Sequence, residues 1–192
     1  HIYDDNTTGG NTINGNTLGL PRGLTNLLIG GNNTISGDTS GLPTGLTTLL
    51  DIEGDNTIGG DIINFPSGLQ TIYLLGSGTT AGTFIYGDVA DLPAGLVSCT
   101  IIGYNQITGS FSDFPTGLSN IAIEGNNTVS GYTSPHVWPT TMQQLSVRGN
   151  VTVSTTNIDN ILSDLATYST TWTGGSKKVV LRGTQTNPTA VA

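Results

Sequence analysis

"GNNTISGD", residues 31–38, returns as "GDNTIGGD" at 54–61 and as "GNNTVSGY" at 125–132. The spacing around these octets decides the fold. Anchored on the proline that follows Leu, Phe or Trp, the copies fall at Pro21, Pro43, Pro66, Pro93, Pro115 and Pro139, in steps of 22, 23, 27, 22 and 24 residues. Periods of this size belong to solenoids, in which each unit buries its apolar side only against its neighbours. The count from the closing glycine to the next proline is six in five places: Gly15–Pro21, Gly37–Pro43, Gly60–Pro66, Gly87–Pro93 and Gly109–Pro115. Such regularity marks a coil of fixed path.

Within a unit, "LPRGLTNLLIGGNNTISG" (20–37) and "LPAGLVSCTIIGYNQITG" (92–109) show two extended runs. The first, "LLI", "IYL", "CTI", "IAI" or "LSV", alternates with period two and reads as a strand with one buried face. The second points one apolar residue inward per coil: Ile13, Ile35, Ile58, Ile85, Ile107, Val129 and Val153. With two short extended sides and no room for a helix, the coils should be flat.

These residues resemble the leucine-rich repeat family, L-x-x-L-x-L-x-x-N-x-L, matched by Leu24, Leu27, Ile29, Asn33 and Ile35 with one extra residue before the asparagine. The resemblance covers about residues 5–153. The LPxGL start is similar to the short bacterial class of such repeats, and the N-T-I-S-G-D half to units of bacteriophage tail-fibre and bacterial surface proteins. The family implies a strand face that binds partners. The expected fold is mainly β: a leucine-rich-repeat solenoid of about seven flat coils over residues 1–153, with parallel strands and almost no convex helix. Residues 154–192 form a cap, with a helix at about 157–168 and a strand at about 177–183. In the helix Ile158, Ile161, Leu162 and Leu165 recur at helical spacing, and Thr156 with Asp159 forms a capping box.

The octet is then mostly architecture. Asn11, Asn33, Asn56, Asn105 and Asn127 stand once per coil, where they can bond neighbouring backbone or one another. Gly37, Gly60, Gly87, Gly109 and Gly131 take conformations that a side chain would obstruct. No equivalent cap is readable at the amino end, so preceding sequence or another subunit is expected to cover it.

Only 9% of residues are charged, against roughly 25% in ordinary globular proteins, and 5 Lys+Arg against 13 Asp+Glu give a net charge of −8. That balance argues against anionic membrane surfaces as partners and effectively excludes nucleic acid. No apolar run is long enough for membrane insertion. The single cysteine, Cys99, lies in an apolar row and reads as a buried thiol. Neither a zinc spacing, a phosphate loop nor a nucleophile elbow is present. Asp51 and Glu53 share an exposed face about 7 Å apart, within the window of inverting glycosidases, but no sequence neighbour raises either pKa and a solvated acidic patch is the preferred reading. No cofactor is expected. Asp38, Asp61 and Asp88 form a column in which calcium is the only metal to consider, with solvated or backbone-bonded carboxylates preferred.

The exposed strand face carries Leu28, Tyr73, Thr100, Ala122 and Ser146, flanked by Leu75, Ile102, Glu124 and Arg148. Two insertions, "SGTTAGT" (77–83) and "YTSPHVW" (132–138), read as protruding loops. Leu28, Tyr73, Leu75, Ile102, Tyr104, Glu124, His136 and Trp138 are therefore the candidate binding residues. The threonines Thr12, Thr34, Thr57, Thr128 and Thr152 share one phase, as in ice-binding solenoids, though Phe84 and Gln106 interrupt them. Sequons at Asn6, Asn32, Asn126 and Asn150 matter only in a glycosylating source. The functional expectation is a non-enzymatic extracellular, cell-surface or virion-surface adhesion module for protein or glycan. The alternatives are a fibre subunit joined end to end through the uncapped amino end and, more remotely, an ice-binding solenoid.

Overall fold

The computed structural model describes residues 2–3, 14–30, 34–53, 57–75, 85–103, 105–149, 153–169 and 178–182. The strands are β1 (Ile2–Tyr3), β2 (Asn14–Asn16), β3 (Asn26–Gly30), β4 (Thr34–Asp38), β5 (Leu49–Ile52), β6 (Thr57–Asp61), β7 (Thr71–Leu75), β8 (Ile85–Asp88), β9 (Ser98–Ile102), β10 (Gln106–Thr108), β11 (Asn120–Glu124) and β12 (Gln144–Arg148). The helix α1 (Thr155–Ser169) and the strand β13 (Lys178–Arg182) follow. They make one eight-stranded parallel sheet, β1-β3-β5-β7-β9-β11-β12-β13, and one five-stranded parallel sheet, β10-β8-β6-β4-β2. The chain thus passes back and forth between two sheets in a solenoid-like parallel β fold. Among the described residues no helix is long and apolar enough to cross a membrane.

Period-two alternation places the core in the large sheet as expected. Leu27, Leu50, Ile72, Cys99, Ile121 and Leu145 share one register row, and Ile29, Ile52, Leu74, Ile101, Ile123 and Val147 the next inward row. All of them are buried. Burial also pushes the Cys99 thiol up to about 12, so it behaves as a small hydrophobe.

The small sheet departs from simple stacking. Equal motif places do not face each other; the ladder is displaced so that Gly15 lies opposite Ile35, Gly37 opposite Ile58, Gly60 opposite Ile85, and Gly87 opposite Ile107. Each inward isoleucine therefore sits against a position without a side chain. The same glycines have φ of 121° at Gly37, 123° at Gly60 and 125° at Gly87, which other residues adopt only at a cost. At Gly60 an added Cβ would lie 2.6 Å from Asp38 Oδ2 and 2.9 Å from Thr39 N. Gly131 is the exception: its φ is ordinary, and only the approach of Ser110 Cβ at 3.0 Å argues for glycine there. Gly60→Ala is expected to cost about 3 kcal/mol, from backbone strain plus overlap with the neighbouring cap. Urea denaturation of the variant checks this.

A third side, absent from the two-sided coil expected, follows the second strand. One-turn 3₁₀ helices occupy Thr17–Gly19, Thr39–Gly41, Ile62–Asn64, Val89–Asp91 and Phe111–Asp113. The side chains of Asn16, Asp38, Asp61, Asp88 and Ser110 cap them by accepting the N–H two residues on, as short polar residues do at turn starts. The first residue of each turn is fully buried: Thr17, Thr39, Ile62, Val89 and Phe111. The two threonines satisfy their hydroxyls by donating to Asp38 O and Asp61 O, both at 2.9 Å. Each P-x-G-L segment, and P-T-T-M at 139–142, then closes a turn, the N–H of Leu24, Leu46, Leu69, Leu96, Leu118 and Met142 donating to the proline carbonyl at 2.9–3.2 Å.

Of the asparagine series, Asn105 and Asn127 are described and buried. They bond backbone rather than each other: Asn105 Nδ2 donates to Glu124 O at 3.2 Å, and Asn127 Nδ2 to Arg148 O at 3.3 Å. Asn11, Asn33 and Asn56 lie outside the described residues, as do Ile13 and the 77–83 insertion.

Helix α1 begins two residues before the expected span. Its cap is Ser154, whose Oγ accepts from Asn157 N at 3.1 Å, so the Thr156–Asp159 box is corrected. Ile158, Ile161 and Leu165 are buried, whereas Leu162 is 39% exposed. The i, i+3, i+7 stripe packs on the core and Leu162 is rotated off it.

Candidate functional site

Between the inward rows, alternate residues of the large sheet point to its outer face. The central outer row is Leu28, Asp51, Tyr73, Thr100, Ala122, Ser146 and Val180. Beside it run Leu75, Ile102, Glu124 and Arg148 on one side, and Asn26, Leu49, Thr71, Ser98, Asn120 and Gln144 on the other. Leu28, Leu49, Asp51, Tyr73, Leu75 and Ile102 are all half-buried, so they form one contiguous apolar patch around a carboxylate. Leu49 and Asp51 join the four residues expected there; their signal is alternation around buried Leu50.

Toward β12 the face differs from expectation. Ala122 and Ser146 are not exposed but 8% and 1% accessible; they are the short side chains of the row, flanked by Glu124, Gln144 and Arg148. Glu124 is engaged in an ion pair, Arg148 Nη1 to Oε1 at 2.9 Å, across adjacent strands. Tyr104 lies outside the described residues.

Asp51 is the electrostatic centre of the patch. Its Oδ1 is buried and no protein donor reaches it. Burial first, and the charge of Glu53 second, raise its carboxyl to about 6, which corrects the expectation of an ordinary solvated acid. Because the folded value exceeds the model-peptide 3.8, the folded state binds this proton more tightly. The resulting stability is present below 3.8 and is lost as pH rises through about 6. Asp51→Asn is therefore expected to raise the melting temperature at neutral pH and to leave it unchanged below 3.8, as a pH series of thermal melts will read. A depression of about 330 Å³ on this side of the molecule is lined by Asn26, Leu28, Thr48 and Leu49.

The remaining candidates separate from this face. One oxygen each of Asp38, Asp61 and Asp88 is committed to a turn N–H at 2.8, 3.1 and 2.9 Å. The hydrogen bond from Ser40 N–H holds the Asp38 carboxyl below its usual range. Among the described residues no three His, Cys, Asp or Glu side chains gather as a cation site.

The 132–138 segment does not protrude; it folds back on α1. Trp138 is 1% exposed and belongs to the core, not to a binding surface. Its indole N–H donates to Tyr132 Oη at 3.1 Å, and Tyr132 O–H donates to Asp164 Oδ2 at 2.7 Å. The His136 backbone N–H reaches the same Asp164 oxygen at 2.9 Å. The Tyr132 and Trp138 rings stack at 6.2 Å, and the His136 ring stands edge-on to Trp138 at 4.9 Å. His136 is half-buried, and burial lowers its pKa despite Asp164 and Asp113. Apolar aromatics with partners for their polar tips are favoured inside, which is why the insertion closes on the core.

The threonine array is broken by the displaced ladder. Thr57 lies opposite Ser36 rather than Thr34, and the Ser36 and Thr108 hydroxyls turn to Gly15 O and Gly87 O at 3.2 Å. Thr12 and Thr152 lie outside the described residues. Compared with family models, with curated proteins and with solved structures, the chain finds no match in any of the three.

Proposed function

We propose that this chain is a non-enzymatic recognition and adhesion module, a leucine-rich-repeat solenoid of about seven coils over residues 1–153 with a cap at 154–192. It acts outside the cell or on a virion surface and binds protein or glycan through the outer face of the large sheet. The observation that supports the reading is the patch of Leu28, Leu49, Tyr73, Leu75 and Ile102, half-buried side by side on four adjacent parallel strands. Exposed apolar and aromatic groups gathered on a fixed scaffold, rather than scattered singly, mark contact surfaces.

Cell-binding and glycan-array screens with the wild type and the Tyr73→Ala/Ile102→Ala double variant test it. The wild type should bind at least one cell type, protein or glycan, and the variant should lose about tenfold or more, the loss of one aromatic anchor and one aliphatic neighbour. Equal binding by the two proteins would overturn the strand-face reading. Absence of binding together with concentration-dependent polymers in sedimentation would favour the end-to-end fibre instead.

A further inference from the structure

The inward rows of the large sheet are buried on every strand from β3 to β12 and lose their cover at β13. Leu145 on β12 is fully buried, whereas its register partner Val179 is 38% exposed. Leu181, opposite fully buried Val147, is only partly buried. Among the described residues β13 pairs with β12 alone and ends its sheet. The Lys178 N–H donates to Gln143 O at 2.9 Å, so the peptide groups of Val179 and Leu181, which alternate with it, are aimed at the open side. An edge of this kind is a template for a further strand.

The charges along the edge select among strands. Four of the chain's five cationic residues, Arg148, Lys177, Lys178 and Arg182, stand on β12, on β13 or immediately before it, and Asp164 is the last acidic residue of the chain. Lys178, Val180 and Arg182 are in register with Gln144, Ser146 and Arg148, so these positions continue the outer rows. Lys178 is exposed. Arg148 is ion-paired with Glu124 on its other side, and Arg182 follows in the same row, opposite a residue of its own sign. Like charges directly across two strands repel unless an anion joins them. The flanking segments 170–177 and 183–192 contain no Asp or Glu to supply one.

A second β13 laid on this edge would set cation against cation. What fits is an extended segment with aliphatic residues beside Val179 and Leu181 and carboxylates beside Lys178 and Arg182, because it both covers the open core and balances the charge. We propose that β13 binds an acidic segment of a partner protein by strand addition, carboxylates at i and i+4 meeting Lys178 and Arg182, and aliphatic residues at i+1 and i+3 completing the inward rows. The edge lies three strands beyond Ile102 on β9, so this surface is separate from the strand-face patch and does not rest on that reading.

NMR titration of the labelled full chain with acetyl-Thr-Asp-Ile-Thr-Val-Asp-Thr-amide tests this, beside counterparts in which both Asp are replaced by Asn or by Lys. At neutral pH and low salt the acidic peptide should shift the amides of Val179 and Leu181 and slow their hydrogen exchange. The Asn peptide should bind about tenfold more weakly and the Lys peptide not at all. About 0.5 M NaCl should remove the preference for the acidic peptide over the Asn one. Lys178→Glu/Arg182→Glu should lose the acidic peptide by about tenfold or more and take up the Lys peptide, which also shows that its edge is folded; Tyr73→Ala/Ile102→Ala should bind the acidic peptide as the wild type does. Equal binding of acidic and Asn peptides at low salt, unchanged binding in the charge-reversed variant, its failure to take the Lys peptide, or shifts confined to residues outside β12 and β13 would overturn the proposal. So would no shift with any peptide, the result if the cations serve only to keep edges apart, and so would salt-sensitive self-association of the chain in sedimentation, which would assign the edge to a second copy.

Discussion

Replacing Asn127 by alanine should destabilise the protein by about 3 kcal/mol, although the side chain touches no ligand and carries no charge. Asn127 is completely buried. Its Oδ1 accepts from Ile107 N–H at 3.0 Å, and its Nδ2 donates to Arg148 O at 3.3 Å. One amide thus ties backbone from the preceding turn to backbone of the following one. Arg148 O keeps a second donor, Gly125 N–H at 3.2 Å, so the main loss is the orphaned Ile107 N–H. A buried unsatisfied donor costs about 1–3 kcal/mol, and the lost second bond and the small cavity add to it. Chemical denaturation measures the sum. Asn127→Asp is the sharper variant: one oxygen can still accept from Ile107, but the other would face Arg148 O with no proton to offer unless it stays neutral. It should be at least as damaging as alanine at neutral pH and less so in acid. A loss below about 1 kcal/mol for Asn127→Ala would show that the amide is not holding the turns together.

Trp138→Ala should cost about 4 kcal/mol, the scale for emptying a core indole, and the damage should be local. The ring is the base of a chain running from Trp138 through Tyr132 to Asp164 on α1. Without it Tyr132 loses its stacking partner and α1 loses much of its tie to the body. Hydrogen exchange should then rise across Ile158, Ile161 and Leu165 while protection at Leu50 and Ile72 persists. Tyr132→Phe, which keeps the ring but removes both the bond to Asp164 and the acceptor of the Trp138 indole N–H, should cost about 1–3 kcal/mol. The same corner should weaken in acid. Burial pulls the Asp164 carboxyl up, but the hydrogen bonds from Tyr132, His136 N–H and Ser134, with the charge of His136, together hold it below 3.8. Its contribution is present above 3.8 and is lost as pH falls through the lowered folded value. His136 acts in the same direction at higher pH: burial holds it below 6.5, so the unfolded chain gains the proton first as pH falls.

What could be read from the residues, and what could not, separates along physical lines. Alternation with period two depends only on strand geometry, so the inward rows from Leu27 to Leu145 and the outer positions Leu28, Tyr73, Leu75 and Ile102 were legible. Asparagine at one phase announced a buried amide, but not whether it would bond its fellows or the backbone, because that choice depends on the exact rise between turns. The displaced ladder of the small sheet was invisible for the same reason: aligning Ile35 with Ile58 and Ile107 says they are equivalent, not that they are opposite. Gly37 facing Ile58 is a fact of pitch. The 3₁₀ turns were readable in principle from Asn16, Asp38, Asp61 and Asp88 standing just before a buried residue, a capping pattern that the metal question obscured. Trp138 was not. An aromatic between prolines in an insertion looks like a loop, and Asp164, which holds its partner Tyr132, is 32 residues beyond that tyrosine in a different element. The raised carboxyl of Asp51 was likewise hidden, since burial by Leu28 and Tyr73 is a matter of neighbours 23 and 22 residues away.

The outer face exists only through the register of the large sheet, which makes Leu28, Asp51, Tyr73 and Thr100 neighbours. Cysteines placed at Tyr73 and Thr100, which are paired across β7 and β9, test it directly, because parallel partners lie within the Cα separation that a disulfide spans, about 4.4–6.8 Å. Mild oxidation should close this 27-residue loop in the folded protein without lowering its melting temperature, while Tyr73→Cys with Asn120→Cys, two strands apart, should stay reduced. Failure of the first pair to close, or equal closure of the second, would contradict the stacking on which the recognition face is built.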